Sequence, residues 1–220
     1  MGDFFNPDGS VMKALSRIAD LAILNILWLL CCVPVVTAGA ATTALFSLCL
    51  KMTKNKEGYL IRSYVKAFKE NFKTSTIIWL IAFVILLILG VDFRIMCYWE
   101  HYLRYPMLVL IIFALLLVVF VLLYVFALIS KFENTLLEHI KNAFFMSIRH
   151  FPATVLLVAI LGLQIYTCIF VLLNDQYLPL GIMFGGSAFV YLMSYIHQKV
   201  FLNYAQEEEE EMITEEMKKI

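Results

Sequence analysis

Five stretches of this chain carry no Asp, Glu, Lys or Arg: Leu21–Leu50, Thr74–Val91, Tyr105–Ser130, Phe151–Asn174 and Gln176–Ile196. A helix needs about 20 apolar residues to cross a hydrocarbon core of roughly 30 Å. The last four stretches each fit one such helix. The first is too long for one comfortable crossing, about 45 Å as a helix at ~1.5 Å per residue. Its middle reads Cys32-Val33-Pro34-Val35-Val36-Thr37-Ala38-Gly39-Ala40-Ala41. Pro34 ends or starts a helix and Gly39 relaxes the backbone. The pattern predicts a short hairpin, one arm ending near Val33 and the other running from Pro34 to about Met52. A re-entrant hairpin with its turn buried in protein fits the same residues.

Composition agrees with this reading. Of the 220 residues, 62% are apolar and 15% charged, against about 25% charged in a soluble protein. A chain this short has too little interior to hide so much apolar surface from water. That excludes an ordinary soluble enzyme, a nucleic-acid-binding module and a disordered protein. The expected fold class is all-α, a polytopic transmembrane bundle of about six spans.

Charge gives the orientation. With six spans, fifteen of the 17 basic residues fall on one side, leaving only Arg94 and Arg104 on the other. Basic loops mark the cytoplasm, so both termini are expected inside. With five spans the split is weaker, thirteen to four. Tyr98, Trp99, Tyr102 and Tyr105 cluster in the predicted outer loop, and Trp79 sits near the inner start of its span. Trp and Tyr favour the headgroup level, which makes them interfacial anchors. A sugar-stacking platform is the alternative for the outer cluster.

Two cytoplasmic linkers read as amphipathic helices, residues 57–73 and 136–149. In the first, positions 61, 64, 65, 68 and 72 follow one helix face, opposite lysines that suit lipid headgroups. In the second, Leu136, Leu137, Ile140, Phe144 and Ile148 do the same. Residues 67–73 align with residues 143–149, sharing an Ala-Phe start and a basic end 76 positions apart. A parallel repeat of span, linker and span explains the match; convergent amphipathic chemistry explains it equally. Pro152 is placed to open the fifth span. The stretch from Glu138 to Pro152 is similar to the cytoplasmic coupling loop of ABC importer permeases, without that loop's Gly.

Chemistry is sparse. The net charge is zero, which argues against a polyanion such as nucleic acid as partner. Cys31, Cys32, Cys49, Cys97 and Cys168 have no zinc-ligand spacing. His101, His139, His150 and His197 fall at predicted loop or interface positions. No nucleophile-elbow, Walker A or H-E-x-x-H motif occurs. No acidic or basic residue sits at the midplane of a span, where a proton- or ion-coupled carrier usually places one. The expectation is a protein without catalytic residues, cofactor or metal. Polar residues within the spans are few: Asp20 near the start of the first, Asn25 one to two turns deeper, and Gln164 and Tyr166 in the fifth. The run Ala38–Ala44 and the pair Gly185-Gly186 read as close-packing surfaces. Residues 206–220, with five consecutive glutamates, read as an acidic cytoplasmic tail after a membrane domain over residues 1–205. That tail is expected to be a fraying helix, with partner docking as an alternative role.

Several strings together carry a resemblance: Phe4-Phe5-Asn6-Pro7-Asp8-Gly9, Asp20-Leu21, Leu24-Asn25-Ile26-Leu27-Trp28, Pro34 to Ala41, Gly58-Tyr59, Ala67-Phe68 and Asn71-Phe72-Lys73. In combination they resemble the YesL-like family of bacterial membrane proteins, a domain of unknown function found mainly in Gram-positive bacteria. The resemblance is strongest over residues 1–80. It implies a cell-membrane protein, often encoded beside carbohydrate ABC importers and glycan-degrading enzymes, with no catalytic residues and no settled mechanism. The expected function is a non-enzymatic accessory of carbohydrate ABC-type uptake, with the lipid bilayer and importer permease subunits as partners. The alternative is a small solute transporter or channel. The candidate functional hairpin comprises Asp20, Asn25, Trp28, Pro34, Thr37 and Gly39. The candidate docking surface comprises Gly58, Tyr59, Phe68, Asn71, Phe72, Lys73, Phe144 and Arg149.

Overall fold

A computed structural model describes residues 10–55, 58–98 and 102–219. The string Phe4–Gly9 and residues Lys56, Glu57, Trp99 and His101 lie outside the described residues. The elements are α1 (Ser10–Cys32), α2 (Ala38–Met52), α3 (Leu60–Tyr98), α4 (Arg104–Ile129), α5 (Leu136–Arg149), α6 (Phe151–Leu173), α7 (Leu178–Phe184) and α8 (Ser187–Lys219). No strand occurs among the described residues. Among the described residues, six segments are long and apolar enough to cross a membrane. They are α1, α2 with the turn before it, α3, α4, α6, and α7 with the first half of α8.

The break in the first uncharged run falls where proline dictates. α1 stops at Cys32, and Pro34 precedes one 3-10 turn over Val35–Thr37. Thr37 closes that turn, its hydroxyl donating to the carbonyls of Cys31 (2.6 Å) and Pro34 (2.8 Å). The small residues at the start of α2 then let it press on α3. A Cβ on Gly39 would stand 2.5 Å from the Trp79 Cβ and 2.7 Å from the Ser75 carbonyl. Thr43 and Ser75 share a buried hydrogen bond of 2.8 Å, and Trp79 Nε1 donates to the Val35 carbonyl at 2.7 Å. The hairpin turn thus meets α3 near its middle.

The first linker is helical and runs into the third span without interruption. α3 is 39 residues long, about 58 Å at ~1.5 Å per residue. Its buried face is Tyr64, Ala67, Ser75, Thr76, Ile78 and Ala82, whereas Ile61, Val65 and Phe72 are exposed. The second linker is a separate helix. Thr135 and Glu138 form a capping box at its start, with Thr135 N–H donating to the Glu138 carboxylate at 2.8 Å. Its end is set by Pro152 in the first turn of α6. Its buried face is His139, Ala143, Met146 and Ser147. Both buried faces are therefore rotated from the apolar stripes expected from sequence. Small and polar side chains make up much of these buried faces, beside Tyr64 and Met146, while Ile61, Val65, Leu137 and Ile148 are exposed. α3 and α5 start at Leu60 and Leu136, the same offset that aligns the two linker sequences.

Packing is uneven along the bundle. At the end carrying Arg17, Lys51, Lys131 and Lys199, here the basic end, the core gathers Leu45, Met52, Tyr64, Tyr124, Leu128, Met146, Leu157 and Phe201. At the far end, α3 buries nothing beyond Ala82 and α4 buries only Ile111 before Leu123. α6 buries only Thr154 and Leu157. The helices close together at the basic end and present apolar surface all round at the other.

Candidate functional site

Asn25 on α1 is fully buried and aimed at a break in the last span. α7 ends at Phe184, and α8 begins at Ser187 after Gly185-Gly186. The helical ladder still holds at Gly185, whose N–H donates to the Gly181 carbonyl at 2.8 Å. The next two N–H groups turn away from the ladder. Those of Gly186 and Ser187 donate to Asn25 Oδ1 at 2.9 and 2.8 Å. Asn25 Nδ2 donates to the Ile182 carbonyl at 2.7 Å. One carboxamide from a neighbouring helix replaces the missing turn, as a broken span requires where water cannot serve. Gly186 is needed for this approach, since a Cβ there would lie 2.6 Å from the Trp28 ring and 3.1 Å from Asn25 Oδ1. Trp28 Nε1 in turn donates to Thr42 Oγ1 at 3.2 Å, tying α1 to α2.

Beside this break is a half-open cavity of about 240 Å³ between the helices, with walls from α1, α2, α3, α4, α6 and α8. Trp28, Thr42, Trp79, Phe126, Gln164 and Met193 are among its lining residues. The hairpin residues divide accordingly. Asn25 and Trp28 meet at the break. Gly39 seats α2 on α3, while Pro34 and Thr37 shape the turn. Asp20 is half-buried one to two turns nearer the basic end.

At the basic end, Arg17 Nη1 donates to the Met52 carbonyl (2.9 Å) and to the Tyr191 hydroxyl (2.8 Å). Its Nη2 donates to Asn55 Oδ1 at 2.5 Å. Asn55 adopts a left-handed φ of 51°, which Asn tolerates well. Thr53 donates to Gln198. This network ties the hairpin to α8 and was not legible in sequence, where Arg17 is only one of many basic residues.

The histidines are placed more deeply than expected. His197 is fully buried rather than interfacial. Its Nδ1 lies 2.8 Å from the Met193 carbonyl and its Nε2 2.9 Å from the Leu123 carbonyl, between the rings of Phe46 and Tyr124. Its i−4 partner is four residues up its own helix, so the sequence offered no sign of the bond to α4. His139 is also buried. Burial holds its pKa below the ordinary imidazole value, partly offset by the Glu138 charge.

The two linkers meet across an open cleft of about 710 Å³ at the basic end. Glu70, Asn71 and Thr74 of α3 face Lys131, Glu138 and His139 across it. Lys131 Nζ rests over the Phe201 and Phe132 rings, 4.6 and 4.9 Å from their centroids. Of the docking residues, Asn71 lines this cleft, while its Nδ2 donates to the Ala67 carbonyl at 3.0 Å. Phe68 packs partly into the core and against Phe72, ring centroids 5.4 Å apart. Phe144 is half-buried beside Phe145, and Lys73 and Arg149 are exposed. Gly58 and Tyr59 are exposed elsewhere, and Tyr59 lies in a groove with Ile23 of α1. The docking set is therefore two patches.

The outward face of α5 was only partly anticipated. Leu137, Phe145 and Ile148 are 74%, 64% and 54% exposed. They lie on one helix face, with exposed Lys141 between Leu137 and Phe145 and exposed Glu138 and Arg149 along one edge.

A family model described as a protein of unknown function, DUF624, matches residues 21–93. Those residues hold the hairpin and most of α3. The chain is 30% identical over 196 residues to the uncharacterized protein YesL of Bacillus subtilis (strain 168), covering 87% of this chain and 89% of that relative. No solved structure matches.

Proposed function

The chain belongs to the YesL-like family of membrane proteins, and from that premise we propose that it is a non-enzymatic accessory component of carbohydrate ABC-type uptake. The observation that carries this reading is the outward face of α5. A short amphipathic helix stands between two spans, is anchored by His139, Ala143, Met146 and Ser147, and turns Leu137, Phe145 and Ile148 outward. Helices so placed suit contact with a partner at the membrane surface. The carbohydrate link comes from the gene neighbourhood that the family resemblance implies. In this reading the basic end faces the cytoplasm of a bacterial cell, and both termini are inside. Residues 1–205 form one membrane domain, and residues 206–220 form a cytoplasmic tail.

The test is crosslinking in native membranes under sugar induction, followed by purification in mild detergent. Importer permease subunits should co-purify with the wild-type chain and be lost from Phe145→Asp. No permease in the wild-type sample overturns the reading.

A second reading, a small solute transporter, is favoured by one observation. The last span is interrupted, pinned by Asn25 and set beside a cavity, the arrangement found at carrier binding sites. It predicts solute flux in liposomes holding this protein alone, reduced in Asn25→Leu. Sealed liposomes without flux would exclude it.

A further inference from the structure

We propose that the half-open cavity between the helices holds a neutral amphiphile, an apolar chain bearing one hydrogen-bonding group that meets Gln164. The polar groups around the cavity are already engaged, with one exception. Trp28 Nε1 and Thr42 Oγ1 bond each other, Thr42 donates to the Ala38 carbonyl at 2.8 Å, and Trp79 Nε1 is held by Val35. The half-buried Gln164 side chain lines the cavity and has no hydrogen bond to a described residue. It sits thirteen residues into α6 and nine from its end, deep in hydrocarbon. A ligand that pairs with this amide gains one neutral hydrogen bond over a ligand that does not.

The walls set the rest of the ligand's chemistry. The lining holds no Asp, Glu, Lys, Arg or His, so an ionised group would enter uncompensated. Trp28, Trp79, Phe46 and Phe126 give the site an apolar, aromatic wall. A volume of about 240 Å³ is room for roughly eight waters at ~30 Å³ each, which suits part of a chain rather than a whole lipid. A sugar fits poorly, because one free amide leaves most of its hydroxyls unpaired. On this proposal the ligand enters from the bilayer. The far halves of α3, α4 and α6 expose Val84, Leu87, Leu110, Phe113, Leu163 and Ile165 toward lipid. A long-chain alcohol or neutral acylglycerol has the required form.

The test is photolabelling of the full-length protein in lipid nanodiscs with a diazirine-bearing long-chain fatty alcohol, with labelled peptides mapped. Label should concentrate on α6 around Gln164 and on α1 around Trp28. Unlabelled alcohol should displace it, and glucose should not. Gln164→Leu should cut labelling about fivefold, the worth of one neutral hydrogen bond, while Leu172→Ala, exposed farther along α6, leaves it unchanged. Val190→Phe, which fills the cavity from α8, should abolish it. Label spread evenly over the lipid-facing helices overturns the proposal, as does displacement by glucose. The wild-type competition decides the matter even if a variant fails to fold.

Discussion

At the residue scale, Asn25 is the most constrained side chain. It satisfies two N–H groups and one carbonyl that the broken span leaves without partners. Asn25→Leu should cost roughly 2–3 kcal/mol, since each buried polar group left unpaired costs about 1–3 and partial re-forming of the helix recovers some. Gly186→Ala should cost roughly 1–3 kcal/mol by collision with Trp28. Thermal unfolding in detergent reads both. The sequence marked Asn25 as a polar residue in a span and Gly185-Gly186 as a packing site. It did not pair them, because a bond between residues 161 positions apart leaves no local pattern. His139 gives a pH prediction. Burial lowers its pKa in the fold, so as pH falls through the ordinary value near 6.5 the unfolded chain takes up the proton first. Stability should therefore fall on acidification from pH 7 to 5. His139→Gln should reduce that loss, and unfolding curves at the two pH values would show it.

At the element scale, boundaries were more legible than faces. Pro34, Thr135 with Glu138, and Pro152 each act through backbone geometry or a local cap, so the hairpin break and both ends of α5 follow from nearby residues. The buried faces did not follow, because the usual rule reads large apolar residues as inward. A helix at the membrane surface can turn large apolar residues toward lipid, and here Ala67, Ala143 and Ser147 are buried instead. The continuity of α3 was missed for a similar reason. The lysines at 66, 69 and 73 mark a change of solvent, not an end of helix. The capping box can be tested directly. Thr135→Ala should cost about 1 kcal/mol and should raise hydrogen exchange in the first turn of α5 while leaving α4 protected. Loss of protection throughout the bundle would mean that Thr135 acts on more than this helix.

At the scale of the whole molecule, the sequence counts the apolar segments but does not set their depth. Six segments among the described residues have the length and composition to cross, yet they do not end at one level. The hairpin turn is fixed by the bond from Trp79 to the Val35 carbonyl. Trp79 is only five residues past Thr74, the first uncharged residue of its stretch. Another twelve residues, about 18 Å at ~1.5 Å per residue, separate it from Val91. Cys97 lies beyond that stretch and is exposed, and Val36 at the hairpin turn is also exposed. In intact cells, a chain whose only cysteine is Cys97 should react rapidly with a membrane-impermeant maleimide. The bond to Trp79 predicts that a chain whose only cysteine comes from Val36→Cys reacts more slowly, the turn stopping among lipid chains short of the outer surface. Equal rates would place the turn at the outer surface and require α3 to tilt steeply beside it. Labelling of Cys97 only after cell lysis would reverse the orientation and put the basic end, with the outward face of α5, outside the cell.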